Sequence, residues 1–362
     1  MFDSVYKGRR VLLTGHTGFK GSWLAFWLRK LGAEVCGAAL EAAPEPNHYR
    51  LLAPEIRSEI CDIRNTQHLQ EIFTGFQPET VFHLAAQPIV RLSYEIPAET
   101  FDVNLMGTVN ILDMCRRTSS VRSVVVITSD KCYENKEQLA GYTENDPMGG
   151  YDPYSASKGC AELASASFAR SFFNPADYGK KHRTLLATAR AGNVIGGGDW
   201  AADRLIPDLM RAAASGVPAR IRNPHATRPW QHVLEPLSGY LQLGSGLFQG
   251  KTELAGAWNF GPDNNGIIDV GTAARQLQQQ WPEIDFIIDP PPEQPHEATL
   301  LHLDCTKARD LLSWHGVLTP AEMFDFTSQW YREYYKNNRI ITAEQLEKYI
   351  NLAEKQGLLW TK

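Results

Sequence analysis

The chain has 362 residues, of which 43% are hydrophobic and 21% charged, and its formal net charge is −5. This length allows a large core in two lobes, and the acidic balance excludes the basic field that nucleic-acid-binding proteins use. Without an apolar run of about 18 residues or a signal-peptide pattern, we expect a cytoplasmic protein with no membrane partner. The six cysteines lie far apart without a C-x-x-C pair, so we expect reduced thiols and no metal site.

The first predicted elements form a βαβ unit. An apolar strand at residues 11–13 leads through a glycine-spaced turn into a helix beginning near Ser22. That helix has one apolar stripe, ends at Gly32, and is followed by a second predicted strand at residues 34–40.

The turn between these elements has the spacing G-x-x-G-x-x-G, with glycines at positions 15, 18 and 21. Gly15 permits an unusual backbone angle, Gly18 allows close approach of a pyrophosphate, and Gly21 lets the helix pack against its strand. Amides at the helix N-terminus face the anion. The turn therefore predicts a dinucleotide site, with a plain tight turn as the alternative.

Strands and helices continue to alternate through the first half. Apolar runs at residues 80–86 and 123–128 predict buried parallel strands, so the expected fold is α/β, a doubly wound, Rossmann-like parallel sheet. From about residue 195, glycine, proline and arginine separate short helical pieces, which predicts a smaller, interleaved α/β substrate domain. The predicted bounds are 1–190 with 233–262 for the dinucleotide domain, and 191–232 with 263–362 for the substrate domain.

Two acidic residues are candidates for the adenosine end of the site. Asp62 follows a predicted strand and can accept a hydrogen bond from the adenine amino group. A helix N-cap for the segment starting near Asn65 explains it equally well. The second strand ends in Ala39 instead of the usual carboxylate, which leaves Glu41 as the nearest acidic side chain for the ribose.

The strongest catalytic signal is Tyr154 with Lys158. Residues four apart share one face of a helix, so the ammonium can lie beside the phenol and lower its pKa, making it a base for a sugar hydroxyl. A surface pair is the alternative. Residues 128–131, Thr-Ser-Asp-Lys, favour the catalytic interpretation because they end an apolar strand, where doubly wound folds place their sites.

These motifs resemble the extended short-chain dehydrogenase/reductase superfamily and, within it, the nucleotide-sugar 4,6-dehydratases over nearly the whole chain. The specific matches lie in the glycine loop and in residues 128–133, 190–200 and 228–233. Relatives acting on dTDP-glucose carry an Asp-Glu pair where this chain has Asp130-Lys131. The resemblance therefore favours the branch acting on CDP-glucose.

The resemblance also implies the binding residues. For the cofactor NAD they are Gly15, His16, Thr17, Gly18, Phe19, Lys20, Gly21, Asp62, Ile63, Leu84, Ala85, Ala86, Asn104, Thr128, Tyr154 and Lys158. For the substrate they are Gln87, Asn193, Arg204, Arg228 and His296. Arg190 and Arg222 are further cations for the substrate diphosphate, and any of these arginines can instead be solvated.

The chemistry implied by the family is a lyase reaction that regenerates its own NAD. Tyr154, helped by Lys158 and Ser129, takes the proton of the 4-hydroxyl while hydride leaves C4. Asp130 then acts as the acid toward the C6 hydroxyl and Lys131 as the base at C5. A salt bridge between Asp130 and Lys131 at the surface is the alternative for this pair.

Small residues that follow Lys158 on its helix allow close packing between subunits, so we expect a homodimer or homotetramer through this helix. The implied pathway is deoxysugar synthesis for surface polysaccharide, such as the O-antigen of lipopolysaccharide. Two other functions remain open. A nucleotide-sugar 4-epimerase or reductase needs no acid and base at 130 and 131, and a non-catalytic NAD-binding protein predicts loss of a member of the Ser129, Tyr154 and Lys158 triad.

Overall fold

The computed structural model describes residues 1–263, 266–289 and 300–362. The strands are β1 Arg10–Thr14, β2 Glu34–Ala39, β3 Arg57–Ile60, β4 Thr80–His83, β5 Ser123–Ile127, β6 Leu185–Arg190, β7 Val194–Ile195, β8 Ala219–Ile221, β9 Thr227–Pro229, β10 Gln231–His232, β11 Gly256–Asn259, β12 Ile267–Asp269 and β13 Phe286–Ile288. The α-helices are α1 Phe19–Lys30, α2 His48–Leu52, α3 Thr66–Phe76, α4 Val90–Glu95, α5 Pro97–Phe101, α6 Gly107–Arg117, α7 Pro153–Ser171, α8 Leu205–Ser215, α9 Leu234–Phe248, α10 Val270–Gln280, α11 Thr306–Leu312, α12 Pro320–Asn337 and α13 Thr342–Lys355.

Seven parallel strands form the central sheet in the order β11-β6-β5-β4-β1-β2-β3. Alternate residues of each strand face opposite sides of the sheet, so Leu13 and Phe82 enter one hydrophobic core while Leu12 and Val81 enter another. The sheet is therefore covered on both faces, and the predicted doubly wound α/β fold is confirmed.

The second lobe is built from short strand pairs. β7 pairs with β10 and β8 with β13 in parallel, while β9 pairs antiparallel with β12. Helices α8, α10 and α12 pack beside them. Apolar side chains of both lobes share one core, so the lobes are fused and not joined by a tether. No helix in the described part of the chain is long and apolar enough to cross a membrane.

The C-terminal helix, within the predicted segment 263–362, contacts both lobes. Trp360 stacks on Phe2 with ring centroids 5.3 Å apart, and Tyr349 of α13 meets Trp27 of α1 edge-on at 6.0 Å. These aromatic contacts hold the end of the chain against the dinucleotide lobe, while the Gln345 amide donates to the Phe326 carbonyl of α12 at 2.6 Å on the other side.

A buried carboxyl lies where α9 meets the C-terminal region. Glu235 is 4% exposed, and it accepts hydrogen bonds from the backbone amides of Val317 and Leu318 and from the Tyr349 hydroxyl. Burial raises the pKa of Glu235 to about 7, against the lowering effect of these hydrogen bonds.

The contribution of Glu235 to the free energy of unfolding should therefore fall as pH rises. The folded-state pKa of Glu235 lies above its ordinary value, so its full contribution is present below about pH 4 and is lost as pH rises through about 7. We expect Glu235→Gln to be more stable than the parent at pH 8, by up to about 3 kcal/mol, and nearly equal to it at pH 5. Urea unfolding at both pH values measures this, with exposed Glu354→Gln as control, and a variant that follows the parent at both would contradict it.

Candidate active site

One cleft of about 1050 Å³ lies at the carboxyl edge of the central sheet. The segments that follow β1, β4, β5 and β6 line it from the first lobe, and residues near the start of α8 and in β8 and β9 line it from the second. Ligands of doubly wound folds bind at this edge, because loops from neighbouring strands meet there.

The glycine turn has the geometry of a dinucleotide site. Gly15 has φ +75°, and a Cβ added to it would lie 2.8 Å from the Ala85 nitrogen; a Cβ on Gly21 would lie 2.0 Å from the Gly15 carbonyl oxygen. Helix α1 begins at Phe19, three residues before the predicted start, with Gly18 as an N-cap that offers no side-chain acceptor. The first amides of α1 thus remain available at the cleft for an anion, and the residues present fit a dinucleotide diphosphate.

Of two basic side chains in this turn, His16 lies away from the cleft and Lys20 lines it. The predicted contact residue His16 does not line the cleft: its imidazole is buried against Gly37, its Nε2 is 2.7 Å from the Ser58 hydroxyl, and burial lowers its pKa to about 4. Lys20 does line the cleft, with its ammonium 5.9 Å from the centre of the Tyr240 ring. Burial, followed by the nearby charges of Lys158 and Arg204, lowers the pKa of Lys20 to about 7.

The adenosine end of the cleft is lined by Ala39, Asp62, Ile63 and Arg64. Asn65, and not Asp62, caps α3 by accepting a hydrogen bond from the His68 amide. The Asp62 carboxylate is instead 2.6 Å from the Arg64 guanidinium, which lowers its pKa. The N-cap alternative for Asp62 is therefore wrong.

Glu41 does not line the cleft, so the ribose end is bordered by Ala39 and Leu40 without a carboxylate from β2. The register of β2 places Ala39 beside Ile60 and ends the strand there. The side chain of Glu41 lies beyond this edge and is exposed.

The loop after β4 contributes Leu84, Ala85, Ala86 and Gln87 to the cleft. Asn104 does not line the cleft. It is 1% exposed, its Oδ1 accepts from the Gln87 amide at 2.8 Å, and its Nδ2 donates to the Ser157 hydroxyl at 2.9 Å. Asn104 thus joins the loop after β4 to α7 and holds that loop, which lines the cleft, in place.

Arg190, predicted as a cation for the diphosphate, is a buried structural residue. Its guanidinium is 2.8 Å from the Glu162 carboxylate and donates to the Tyr133 hydroxyl at 2.6 Å. Thr128 and Thr188 donate to the same carboxylate. This network ties β5 and β6 to α7 beneath the cleft, and the sequence prediction for Arg190 is wrong because its partner lies on another element.

Ser129 and Asp130 lie at the carboxyl end of β5, as predicted, and both are buried. The Ser129 hydroxyl donates to Asp130 Oδ1 at 3.0 Å, and the Asn193 amide donates to Asp130 Oδ2 at 3.2 Å. A Cβ on Gly192, in the loop between β6 and β7, would lie 1.8 Å from Oδ2, so a larger residue there would displace the carboxylate. Asn193, predicted as a substrate contact, therefore also holds Asp130.

Lys131 lines the cleft with a half-buried side chain, and its backbone amide donates to the Ser129 hydroxyl at 3.2 Å. Among the described ion pairs Lys131 has none, and the hydrogen-bonded contacts of the Asp130 carboxylate are to Ser129 and Asn193. The salt-bridge alternative for Asp130 and Lys131 is therefore wrong, and the two side chains are held as separate groups.

Tyr154 lines the cleft at the first turn of α7, and its phenol is hydrogen-bonded to Ser129. Burial raises its pKa to about 12, although the Ser129 hydrogen bond lowers it. Lys158 does not line the cleft; its Nζ donates to the Ile127 carbonyl at 3.4 Å, and burial lowers its own pKa to about 8. The hydrogen bond that the Lys158 ammonium makes is therefore to the backbone at the end of β5.

The second lobe supplies the cations Arg204, Arg222 and Arg228 to the cleft. Arg204, at the N-cap of α8, is paired with Asp199 at 2.9 Å, and this partner raises its pKa. The predicted contact His296 lies outside the described residues.

The sequence interpretation missed two carboxylates. Asp199 positions Arg204, and Glu162 receives the buried hydrogen bonds from Thr128 and Arg190. The available signal for Glu162 was its spacing of four residues from Lys158, which puts both on one face of α7.

Comparisons with known proteins show the family of this chain. A family model described as GDP-mannose 4,6 dehydratase matches residues 12–325, most of the chain. The CDP-glucose 4,6-dehydratase of Salmonella typhimurium is 46% identical over 345 residues, which cover 94% of this chain and 96% of that protein. The chain belongs to the nucleotide-sugar 4,6-dehydratase family. The predicted family is thereby confirmed.

Two solved structures share the fold of this nucleotide-sugar 4,6-dehydratase family member. The UDP-glucose 4-epimerase of Thermotoga maritima, solved with UDP-glucose, has a TM-score of 0.77 at 20% identity and covers 90% of this chain and 99% of its own. The dTDP-glucose 4,6-dehydratase of Bacillus anthracis, solved with NAD, has a TM-score of 0.72 at 18% identity and covers 90% and 97%.

Proposed function

We propose that this protein is an NAD-dependent lyase that removes water from CDP-D-glucose to give CDP-4-dehydro-6-deoxy-D-glucose. The observation that carries the proposal is that Asp130 and Lys131 line the same cleft as Ser129 and Tyr154. A 4-epimerase needs proton transfer only at the 4-hydroxyl, whereas a 4,6-dehydratase also needs an acid at O6 and a base at C5. The near full-length similarity to a CDP-glucose 4,6-dehydratase supports the same reaction and the cytidine nucleotide.

The residues would carry three proton transfers. Tyr154 takes the O4 proton, and the Ser129 hydroxyl bonded to it stabilises the ionised phenol. The resulting 4-ketone acidifies C5, so Lys131 removes the C5 proton while Asp130 protonates the departing C6 hydroxyl. When bound, NAD would supply the acceptor for hydride from C4 and the donor of hydride to C6, and its positive charge would favour the ionised phenol.

The diphosphates have separate partners in the cleft. Because the N-cap Gly18 has no side chain to accept from them, the amides at the start of α1 would bind the cofactor diphosphate. Arg204, Arg222 and Arg228 would bind the substrate diphosphate from the second lobe, since arginine forks match phosphate oxygens.

The preference between NAD and NADP follows from the charged side chains at the adenosine end of the cleft. Arg64 lies in this part of the cleft, but three carboxylates surround it: Asp62 at 2.6 Å and both Glu99 and Asp102 at 3.5 Å. Their excess negative charge repels a 2′-phosphate. We therefore expect NAD to bind at least about tenfold more tightly than NADP, or about 1.4 kcal/mol.

Titration of the cofactor-free protein with both dinucleotides measures this preference. Glu99→Gln combined with Asp102→Asn should narrow the difference by weakening the repulsion of NADP, with little change for NAD. Tighter binding of NADP to the parent protein would overturn the assignment.

One assay tests the function. The protein is incubated with CDP-, dTDP-, UDP- and GDP-linked hexoses, and the alkaline absorbance of a 4-keto-6-deoxy product is followed. We expect that product from CDP-glucose; an epimerised sugar without loss of water would favour the 4-epimerase alternative. The cytoplasmic location, the homodimer or homotetramer through α7 and the role in O-antigen synthesis stay predictions.

A further inference from the structure

One carboxylate of the cleft lies between two arginines that come from different lobes. Asp203, in the loop before α8, accepts a hydrogen bond from the Arg222 guanidinium at 3.1 Å. The Arg91 guanidinium lies 3.9 Å from the same Asp203 oxygen. All three side chains line the cleft, and Arg91 belongs to α4 of the first lobe. Cations of both lobes thus converge on one anion.

The backbone around Asp203 is anchored, whereas its side chain is accessible. Arg211 of α8 donates to the Trp200 carbonyl at 2.9 Å, and the Ala201 amide donates to the Asp199 carboxylate at 3.0 Å. The Asp203 side chain is 46% exposed. Its carboxylate can therefore leave the arginines by rotation of the side chain, without movement of the loop.

The neighbouring ion pair of Arg204 with Asp199 differs in its burial. The Asp199 carboxylate is 6% exposed and 2.9 Å from the Arg204 guanidinium. The pair of Asp203 with Arg222 is more exposed, and such pairs contribute little stability because water screens their charges. Asp203 is therefore the carboxylate that a more highly charged anion can replace.

The chemistry of the arginines indicates which anion that is. A guanidinium group donates to phosphate oxygens in the same forked geometry as to a carboxylate. The diphosphate of a nucleotide sugar carries more negative charge than one carboxylate, so it competes well for Arg222 and Arg91. Because the amides at the start of α1 fit the cofactor diphosphate, the substrate is the source of the anion at these arginines.

We propose that Arg91 and Arg222 together bind the substrate diphosphate and that Asp203 holds its place until the substrate binds. Binding is then an exchange of anions, in which the diphosphate replaces the Asp203 carboxylate at both arginines. Arg91 is thereby a substrate-binding residue that the first lobe contributes. The inference rests on the proposed function, in which the substrate is a nucleotide sugar.

The test measures the binding of CDP to the full-length protein saturated with NAD, by calorimetric titration. Asp203→Asn should bind CDP about threefold to fivefold more tightly than the parent, because the competing ion pair is lost. Asparagine also tolerates the left-handed backbone of this residue, which has φ +61°. Arg91→Gln should bind CDP at least about tenfold more weakly, since a hydrogen bond to a charged group is lost.

Asp263→Asn is the matched control. Asp263 is an exposed aspartate outside the cleft, 3.2 Å from the Arg309 guanidinium, so its loss should leave the affinity for CDP unchanged. The affinity for NAD should be the same in all of these proteins, which shows that the fold is intact. If Arg91→Gln does not fold, the result for Asp203→Asn alone decides.

Combining Asp203→Asn with Arg222→Gln separates the exchange from simple charge repulsion. The exchange predicts that Asp203→Asn tightens CDP binding little once Arg222 is replaced, because Asp203 then has lost its closest competing contact. The same gain in both backgrounds would indicate repulsion and would overturn the proposal. Parental affinity for CDP in Asp203→Asn would overturn it as well.

The same titrations with UDP distinguish this proposal from the proposed function. Because the exchange takes place at the diphosphate, Asp203→Asn should tighten the binding of UDP by the same factor as that of CDP. A gain confined to one base would place Asp203 at the base and overturn the exchange. A parent that makes no 4-keto-6-deoxy sugar, with the equal gain present, would overturn the proposed function alone.

Discussion

Tyr154→Phe should lower turnover of CDP-glucose by about 100-fold to 10,000-fold, because it removes the group that takes the O4 proton. The substitution deletes only the phenol oxygen, whose partner is Ser129, and keeps the ring that lines the cleft. Binding of NAD should be nearly unchanged, since the glycine turn and the start of α1 hold the cofactor. Steady-state product formation and cofactor titration measure the two effects.

Tyr334→Phe is the matched control. Tyr334 lies on α12, stacked on Trp330 at 5.8 Å, and does not line the cleft. It loses the same oxygen and should keep parental activity. If Tyr154→Phe retained more than about a tenth of the parental rate, Tyr154 would not be the base.

Lys131→Met should separate the two halves of the reaction. Hydride leaves C4 before the C5 proton is removed, so a protein without the C5 base should oxidise the sugar but fail to eliminate water. Methionine removes the amine and keeps an unbranched side chain, while the backbone amide still donates to Ser129. In a single turnover we expect reduced nicotinamide to accumulate and persist, with little solvent deuterium at C5.

Two comparisons make this result specific. Tyr154→Phe should give no reduced nicotinamide, and Lys136→Met, an exposed lysine outside the cleft in the same loop, should behave as the parent. Product with normal deuterium uptake from Lys131→Met would mean that the base lies elsewhere. His296 and Glu297 would be the next candidates by sequence.

Features of the chain that depend on local pattern could be predicted from sequence. The strands beginning at Glu34, Thr80 and Ser123 start at the predicted residues, because buried parallel strands require short apolar runs. Their ends differ by one to three residues, and α1 begins earlier than predicted, at Phe19, because Gly18 can act as an N-cap without a polar side chain. The shared carboxyl edge of a parallel sheet also made it possible to predict that residues 128–131 lie at the site.

The sequence by itself thus determined the doubly wound fold, the family and the residue types of the cleft. Only the tertiary structure decided which side chains face one another, since those partners are distant along the chain. Glu162 of α7 forms an ion pair with Arg190 of β6. The Asn193 amide donates to Asp130, which lies 63 positions earlier in the chain, and the amine of Lys158 donates to the Ile127 carbonyl. A helical spacing of four aligns the stems of two side chains, but burial and the nearest acceptor determine where a flexible charged group ends.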